Sequence, residues 1–342
     1  MAFRFNFAAD DTDDDFIPNS LPAPAPQALP AEVHAPARYH ILQELMARIP
    51  RNISYATISI TPTVSIPRRE LYDVRMQIMD EDELNGNGSE RSITVGLDKE
   101  DIRSSLYEGG LKSWECSVDL VRHLASLYEQ TGPESKKVLE LGCGTSLPSL
   151  FLFQTTLSAT KTAKPPFTHF TLADYNLEVL RLVTLPNILL SWAMLNHLSS
   201  SPEPWKPEGD LDVTETLTAA FLSDLSSRGI ALDFVSGGWS TEMTELLKPT
   251  SPYDLVLGSE TIYSPSTTPL FTDVLLEVLK GGEGSGLVAA KQIYFGVGGG
   301  VTDFVNLVRS KDSNVQIRVV REEREAGVGR SIVEISNKSG QP

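Results

Sequence analysis

The chain has 342 residues, 41% of them hydrophobic, and a formal net charge of −16 at pH 7. That hydrophobic share is ordinary for a globular protein with a substantial core. No stretch approaches the roughly 18 uninterrupted apolar residues of a membrane helix, and the first residues lack the basic and apolar regions of a signal peptide. No basic run is longer than Arg68-Arg69, so we expect neither direct nucleic-acid binding nor membrane association. The acidity either favours a basic protein partner or only aids solubility.

The N-terminal third divides into two parts. Residues 1–37 combine an acidic cluster with a Pro/Ala-rich run, which predicts a disordered tail. Residues 38–105 are interpreted as an N-terminal extension that packs on the core. Within it, helical spacing predicts a helix over 39–49, alternation predicts a strand over 52–60, and a further strand is expected within 65–79. A turn-rich loop follows near 81–90.

The remainder, 106–338, alternates predicted helices with predicted strands. Apolar runs predict seven strands, at 136–141, 169–174, 230–237, 253–259, 286–291, 314–320 and 330–336. Helices are predicted between them, at 115–130, 146–156, 177–195, 213–227, 241–248, 267–280 and 302–310, with a polar insertion near 199–212. This alternation indicates an α/β fold with a doubly wound, mostly parallel sheet. Ligands of such sheets bind outside the carboxyl ends of the strands.

The first motif is a glycine turn after the strand at 136–141. Gly142 and Gly144 allow a sharp bend close to a ligand. Glu140 precedes the turn, and Asp174 ends the next strand, where an acid accepts hydrogen bonds from ribose hydroxyls. A dinucleotide fingerprint would need a third glycine at Leu147, so NAD binding is disfavoured. The alternative is an ordinary tight turn before a helix.

Two further motifs follow later strands. Ser259, Glu260 and Tyr263 place a carboxylate and a phenol at the sheet edge, unless they only begin a helix. No Lys-Ser/Thr follows the glycine-rich segment 291–300, which argues against a phosphate-binding P-loop. It is interpreted as a flexible loop bordering an acceptor site, or else a linker. Neither the two cysteines nor the five scattered histidines have metal-ligand spacing.

Seven ordered stretches together resemble one family, the eukaryotic histidine protein methyltransferases that modify a large-subunit ribosomal protein. They are YEGGLKSWEC (107–116), VLELGCG (138–144), DYN (174–176), TLPN (184–187), SGGWS (236–240), YDLVLGSETIY (253–263) and KQIYFGVGGGV (291–301). The glutamate-x-x-tyrosine of the sixth stretch is similar to the acid-x-x-aromatic motif of protein-lysine methyltransferases. One departure is Thr145-Ser146, where the family's loop has Ser-Gly; we expect the turn to survive with a less free backbone.

The resemblance implies a Rossmann-like, seven-strand methyltransferase sheet whose last strand pair is antiparallel, with S-adenosylmethionine as cofactor. The implied cofactor-binding residues are Trp114, Glu115, Cys116, Glu140, Gly142, Cys143, Gly144, Asp174, Tyr175, Asn176, Gly238, Trp239, Ser240 and Ser259. Tyr175 would flank the adenosine, and Gly238-Trp239 would border the adenine. The implied reaction is methylation of a protein histidine, with a basic ribosomal protein as partner, in a monomer of the cytoplasm and nucleus.

Three residues are expected to carry the chemistry: Glu260, Tyr263 and Tyr294. A neutral imidazole needs little activation, since its pKa is about 6.5. We expect Glu260, or a nearby backbone carbonyl, to hold the ring N–H while the two tyrosines shape the slot. A lysine acceptor would first have to lose a proton at a pKa of about 10.4. Lysine methylation and a non-catalytic ribosome assembly factor remain as alternative functions.

Overall fold

The computed structural model describes residues 35–85, 109–131, 136–159, 168–281, 283–324 and 327–337. Of the expected tail, only the last three residues are among them. Residues 86–90 of the predicted loop near 81–90 lie outside the described residues, as do Tyr107 and Glu108 of the first family-like stretch.

The main sheet has eight strands. They are β1 (Arg38–His40), β4 (Lys137–Leu141), β5 (Thr168–Asp174), β7 (Ile230–Ser236), β8 (Leu255–Ser259), β9 (Ser285–Lys291), β10 (Val315–Glu323) and β11 (Arg330–Asn337), in the order β1-β7-β5-β4-β8-β9-β11-β10. The five central strands are parallel, whereas β11 is antiparallel to both β9 and β10. The predicted doubly wound, seven-strand sheet with an antiparallel last pair is confirmed. The short strand β1 extends it antiparallel to β7.

Ten α-helices occur among the described residues. They are α1 (Leu42–Met46), α2 (Leu71–Asn85), α3 (Glu115–Thr131), α4 (Leu147–Ala159), α5 (Leu177–Val179), α6 (Leu185–Ser200), α7 (Glu215–Ser227), α8 (Thr241–Leu247), α9 (Thr268–Leu279) and α10 (Val301–Lys311). A π-helical turn, Leu180–Thr184, joins α5 to α6. The predicted helix over 177–195 is therefore present but interrupted.

Helices cover both faces of the sheet. Successive side chains of a strand point to opposite faces, so each strand packs against both helical layers. Leu255 and Leu257 of β8 pack in one core cluster with α3, α4, α6 and α7. Val256, between them, packs in a second cluster with α8, α9 and α10. The helical segment Leu177–Ser200 is apolar and long enough to cross a membrane, but 89% of its most apolar window is buried inside the protein. Packing in the core accounts for that hydrophobicity.

A second, three-stranded antiparallel sheet contains β2 (Asn52–Ser59), β3 (Ser65–Arg69) and β6 (Glu208–Asp212), in the order β3-β2-β6. The strand predicted over 52–60 is confirmed as β2. The polar insertion was not predicted to contain a strand. It contains β6, an edge strand whose residues are exposed or half-buried and mostly acidic, so no apolar alternation marks it in the sequence.

Two sequence expectations in the N-terminal extension are wrong: the helix over 39–49, and the first half of the loop near 81–90, whose residues 81–85 belong to α2. The helix predicted over 39–49 contains only α1, because Tyr39 and His40 pair with β7 and their side chains bond Asp233 and Ser236. The strand expected within 65–79 is confirmed as β3, Ser65–Arg69. From Leu71 the chain is helical, since Val74 and Ile78, four residues apart, lie on one helix face and pack in a common cluster.

Candidate active site

The carboxyl ends of the parallel strands bring the predicted site residues to one edge of the sheet. Leu141 pairs with Ala173 of β5 and with Gly258 of β8, and Asp174 pairs with Ser236 of β7. The glycine turn, the predicted ribose acid and the glutamate motif therefore follow neighbouring strands. This is the position at which α/β sheets bind ligands.

The glycine turn needs its two glycines. Gly142 and Gly144 have φ values of 68° and 49°, in the left-handed region that side chains rarely adopt. A Cβ at Gly142 would lie 2.7 Å from Thr261 Cγ2, and one at Gly144 would lie 3.1 Å from the carbonyl oxygen of Gly110. The turn thus packs against the segment that follows β8 and against the segment before α3.

Ser146 continues the turn in the same unusual conformation, with φ of 59°. It is fully buried, and its hydroxyl has no hydrogen-bond partner. Its N–H donates to the carbonyl of Cys143 at 2.6 Å. The turn therefore forms with serine in the place of glycine, although a left-handed backbone is energetically unfavourable for a residue that has a Cβ.

Asp174 ends β5 and points toward the glycine turn. Its Oδ2 accepts the N–H of Gly144 at 2.9 Å, and its Oδ1 accepts the N–H of Asn176 at 3.2 Å. Burial raises the pKa of this carboxyl to about 6, although the backbone N–H donors act in the opposite direction. A carboxylate so placed joins the turn to the end of β5 and retains further lone pairs for a hydroxyl ligand.

The predicted adenosine side is lined by the segments after β5 and β7. The Tyr175 hydroxyl accepts the N–H of Ala35 at 3.4 Å, and the Gly238 N–H donates to the Ala35 carbonyl at 2.9 Å. Trp239 packs edge-on to Phe271, with ring centroids 5.7 Å apart. Two other residues predicted to bind cofactor cap helices: the side chains of Asn176 and Ser240 accept N–H groups of α5 and α8.

Glu140 lies in β4 with a completely buried side chain. Its Oε2 accepts the N–H of Ser149 in the first turn of α4 at 3.0 Å. Burial raises the pKa of the carboxyl to about 8. Here the acid caps a helix N-terminus from a neighbouring strand. The predicted role at the methionine end of the cofactor stays a prediction.

At the other side of the turn, Glu260, Tyr263 and Tyr294 come together as predicted. The Tyr294 hydroxyl donates to Glu260 Oε2 at 2.5 Å, and the rings of Tyr263 and Tyr294 lie 6.2 Å apart. Burial and the neighbouring Glu260 carboxylate raise the pKa of Tyr294 above its usual range, so the phenol keeps its proton. The three residues form one polar group beside the end of β8.

Glu260 itself has an unusual backbone and an incompletely bonded side chain. Its φ is 58°, which is costly for a residue with a Cβ, and its N–H donates to the Ala289 carbonyl at 2.9 Å. The side chain is only 7% exposed, and Oε1 is buried without a hydrogen-bond partner. A strained residue with a buried, unused acceptor indicates a functional site.

Four residues around Glu260 complete this side. Cys116 is buried beside it. Burial is the largest cause of the raised pKa of this thiol, and the Glu260 carboxylate raises it further. Lys291 Nζ lies 4.0 Å from Glu260 Oε1 and 3.4 Å from Glu115 Oε2. The same ammonium lies 5.7 Å from the centroid of a Trp114 ring. The acceptor is predicted to bind beside Glu260, Tyr263 and Tyr294, and we call this group the acceptor side. It therefore lies next to three residues predicted to bind cofactor: Trp114, Glu115 and Cys116.

Two residues that support the glycine turn were missed as functional residues in the sequence. The Thr184 hydroxyl, at the end of the π-helical turn, donates to the Gly144 carbonyl at 2.7 Å. The Asn187 amide donates to the Thr145 carbonyl at 3.1 Å and accepts the N–H of Arg69 at 2.7 Å. Both belong to the quoted TLPN stretch. Buried polar residues in an otherwise apolar helix were the available signal.

Comparison with known proteins identifies the family. The chain is 38% identical over 287 residues to Histidine protein methyltransferase 1 of Saccharomyces cerevisiae, covering 78% of this chain and 75% of that protein. It is 36% identical over 296 residues to the protein of the same name in Schizosaccharomyces pombe, covering 85% and 83%. The chain belongs to the histidine protein methyltransferase 1 family. The predicted family, the methyltransferase class and its cofactor, S-adenosylmethionine, are thereby confirmed.

No protein-family model matches the chain. Among solved structures, a protein of Listeria monocytogenes described as a class I S-adenosylmethionine-dependent methyltransferase is similar, with 13% identity and a TM-score of 0.42. The alignment covers 79% of this chain and 75% of that one. The strand order and strand directions of this chain's own sheet therefore carry the assignment of its fold.

Proposed function

We propose that the chain transfers a methyl group from S-adenosylmethionine to an imidazole nitrogen of a histidine in a protein. The names of its relatives support a histidine acceptor. The observation that carries the proposal is the carboxylate of Glu260, buried and strained, with Oε1 left without a donor. An imidazole ring supplies the donor that Oε1 lacks, and it presents a second nitrogen as nucleophile.

In this reaction the protein mainly positions the two reactants. One ring nitrogen attacks the sulfonium methyl, so that the N–C bond forms while the S–C bond breaks and its electron pair stays on sulfur. The other ring nitrogen donates its N–H to Glu260 Oε1, which fixes the tautomer. The methylated ring then carries one excess proton, which leaves through Glu260 to solvent. Tyr294 holds the second carboxylate oxygen throughout.

The cofactor would lie across the glycine turn. Asp174 would accept the ribose hydroxyls, with Tyr175 and Trp239 on the adenosine side. Glu260 directly precedes Thr261, whose methyl group packs against Gly142 of the turn. This contact supports placing the transferable methyl group between the turn and the glutamate.

We also propose that the acceptor is a basic ribosomal protein and that the reaction takes place in the cytoplasm and nucleus. The net charge of −16 favours a basic partner.

The test is labelling of an extract from cells that lack the enzyme, using S-adenosylmethionine with a labelled methyl group. The labelled protein is purified, identified and hydrolysed, and the methylated amino acid is determined. We expect methylhistidine; recovery of methyllysine would overturn the histidine assignment. Replacement of Glu260 by Gln should lower the rate at least about 100-fold while S-adenosylhomocysteine binds as before. The matched control, Glu208→Gln, changes an exposed glutamate of β6 and should leave both unchanged.

A further inference from the structure

Lys291 is a charged residue beside Glu260 that has no part in the proposed reaction. It ends β9, and its side chain is 24% exposed. Its ammonium lies between two carboxylates, 3.4 Å from Glu115 Oε2 and 4.0 Å from Oε1 of Glu260, the oxygen without a hydrogen bond. The Glu115 side chain is 63% exposed, whereas that of Glu260 is 7% exposed. The cation therefore lies beside the oxygen assigned to the acceptor ring.

Charged and titratable groups from four elements surround this position. They are Glu115, Cys116 and Asp119 of α3, Glu260 after β8, Tyr294 after β9 and Arg330 of β11. Arg330 is paired with Asp119 at 2.5 Å, and burial raises the pKa values of Cys116 and Tyr294, which stay neutral. The charges left to act on a bound ring are two carboxylates and the Lys291 ammonium.

Those carboxylates alone would hinder the reaction. A carboxylate next to an imidazole favours the protonated ring, whose pKa then rises. A protonated ring has no lone pair on either nitrogen and cannot attack the methyl group. A cation near the ring has the opposite effect. The same cation also disfavours a lysine ammonium at this position.

We propose that Lys291 is a positioning residue that keeps the acceptor imidazole neutral, because its ammonium lies beside the carboxylate oxygen that receives the ring N–H. This inference rests on the proposed function, since it takes a histidine bound to Glu260 as its starting point. Trp114, whose ring lies 5.7 Å from the ammonium, and Glu115 hold the cation in place. Lysine and arginine would serve equally, whereas an uncharged side chain would not.

The test is the pH dependence of the methylation rate in variants of Lys291. The acceptor is the labelled protein purified from the extract, supplied at a concentration above which the rate no longer rises. The rate then reports the pKa of the bound ring. We expect Lys291→Met to move the acidic limb of the profile upward by roughly one pH unit, since loss of the cation stabilises the protonated ring. Lys291→Arg should follow the wild-type profile.

Two results would overturn the inference. One is an acidic limb that stays in place in Lys291→Met while the rate falls equally at every pH; this indicates a structural role. The other is a shift in Lys291→Arg as large as that in the Met variant. Calorimetry with S-adenosylhomocysteine checks that each variant is folded, and Lys291→Gln replaces the Met variant if that protein does not bind. Methyllysine in the product would overturn the proposed function, whereas methylhistidine with an unmoved limb overturns only the role of Lys291.

Discussion

The Tyr294 hydroxyl donates to Glu260 Oε2 at 2.5 Å, across 34 residues of sequence. The phenol keeps its proton, because burial and the adjacent carboxylate raise its pKa above the usual range. It is thus a permanent donor to one oxygen of Glu260. The other oxygen, Oε1, has no hydrogen-bond partner, and in the proposed reaction it accepts the N–H of the acceptor ring.

We expect Tyr294→Phe to lower the methylation rate roughly 10- to 100-fold, because hydrogen bonds to charged groups contribute about 1.5–3 kcal/mol. The ring stays, so the contact with Tyr263 is preserved. Affinity for S-adenosylhomocysteine should change less than about twofold. Initial rates with the purified acceptor and calorimetry measure the two effects. A variant that methylates at the wild-type rate would show that Glu260 does not depend on this bond.

The second prediction concerns Asp174 and the pH dependence of cofactor binding. Its pKa of about 6 lies above the ordinary 3.8, so the carboxylate takes up a proton as the pH falls through 6. A protonated acid loses acceptor capacity for ribose hydroxyls. Affinity for S-adenosylhomocysteine should therefore be constant above about pH 7 and weaken by up to roughly tenfold per pH unit below 6.

Asp174→Asn is the matched variant, because it cannot titrate. It should bind S-adenosylhomocysteine more weakly at pH 7.5, with an affinity that no longer depends on pH between 5 and 7.5. Calorimetry at several pH values in one ionic strength measures both properties. Equal pH dependence in the wild-type protein and the variant would assign the titration to another group.

Much of the site could be predicted because its residues follow strong local patterns. Apolar runs mark the central strands; Gly142 comes directly after β4, and Asp174 is the last residue of β5. Parallel strands place such residues at one edge without any need for long-range information. The glutamate motif after β8 is at the same edge for the same reason.

What could not be predicted depends on tertiary contacts. The left-handed backbone of Glu260 and the pairing of Lys291 with two carboxylates arise where separate segments meet. Asn187 contacts the glycine turn only because α6 packs beside β3. The strand β6 has no apolar alternation, since an edge strand of a small sheet needs none.

The third prediction uses Ser146, whose φ of 59° and unpartnered buried hydroxyl are both unfavourable. Ser146→Gly removes both and should raise the free energy of unfolding by about 1 kcal/mol, since the left-handed cost exceeds the entropy cost of glycine. Ser146→Ala keeps the Cβ and separates the two contributions. Denaturant unfolding measures the stability. A glycine variant less stable than the alanine variant would mean that backbone strain at this turn is negligible.

The fourth prediction concerns Glu140, whose carboxyl has a pKa of about 8 when folded and an ordinary value of 4.5. Between these values the folded protein binds the proton and the unfolded chain does not. This contribution to stability is therefore greatest at low pH and is lost as the pH rises toward 8. Glu140→Gln keeps the acceptor for the Ser149 N–H but cannot ionise.

We expect Glu140→Gln to lie within about 1 kcal/mol of the wild-type stability near pH 5 and to exceed it by roughly 4 kcal/mol at pH 8.5. Denaturant unfolding at the two pH values measures the difference, because every other titrating group is common to both proteins. A stability difference that is the same at both pH values would place the ionisation elsewhere. Affinity for S-adenosylhomocysteine, measured on the same samples, tests whether Glu140 also binds the cofactor. If Glu140 serves only as a helix cap, the variant binds as tightly as the wild-type protein. A weaker affinity would support the predicted role at the methionine end of the cofactor.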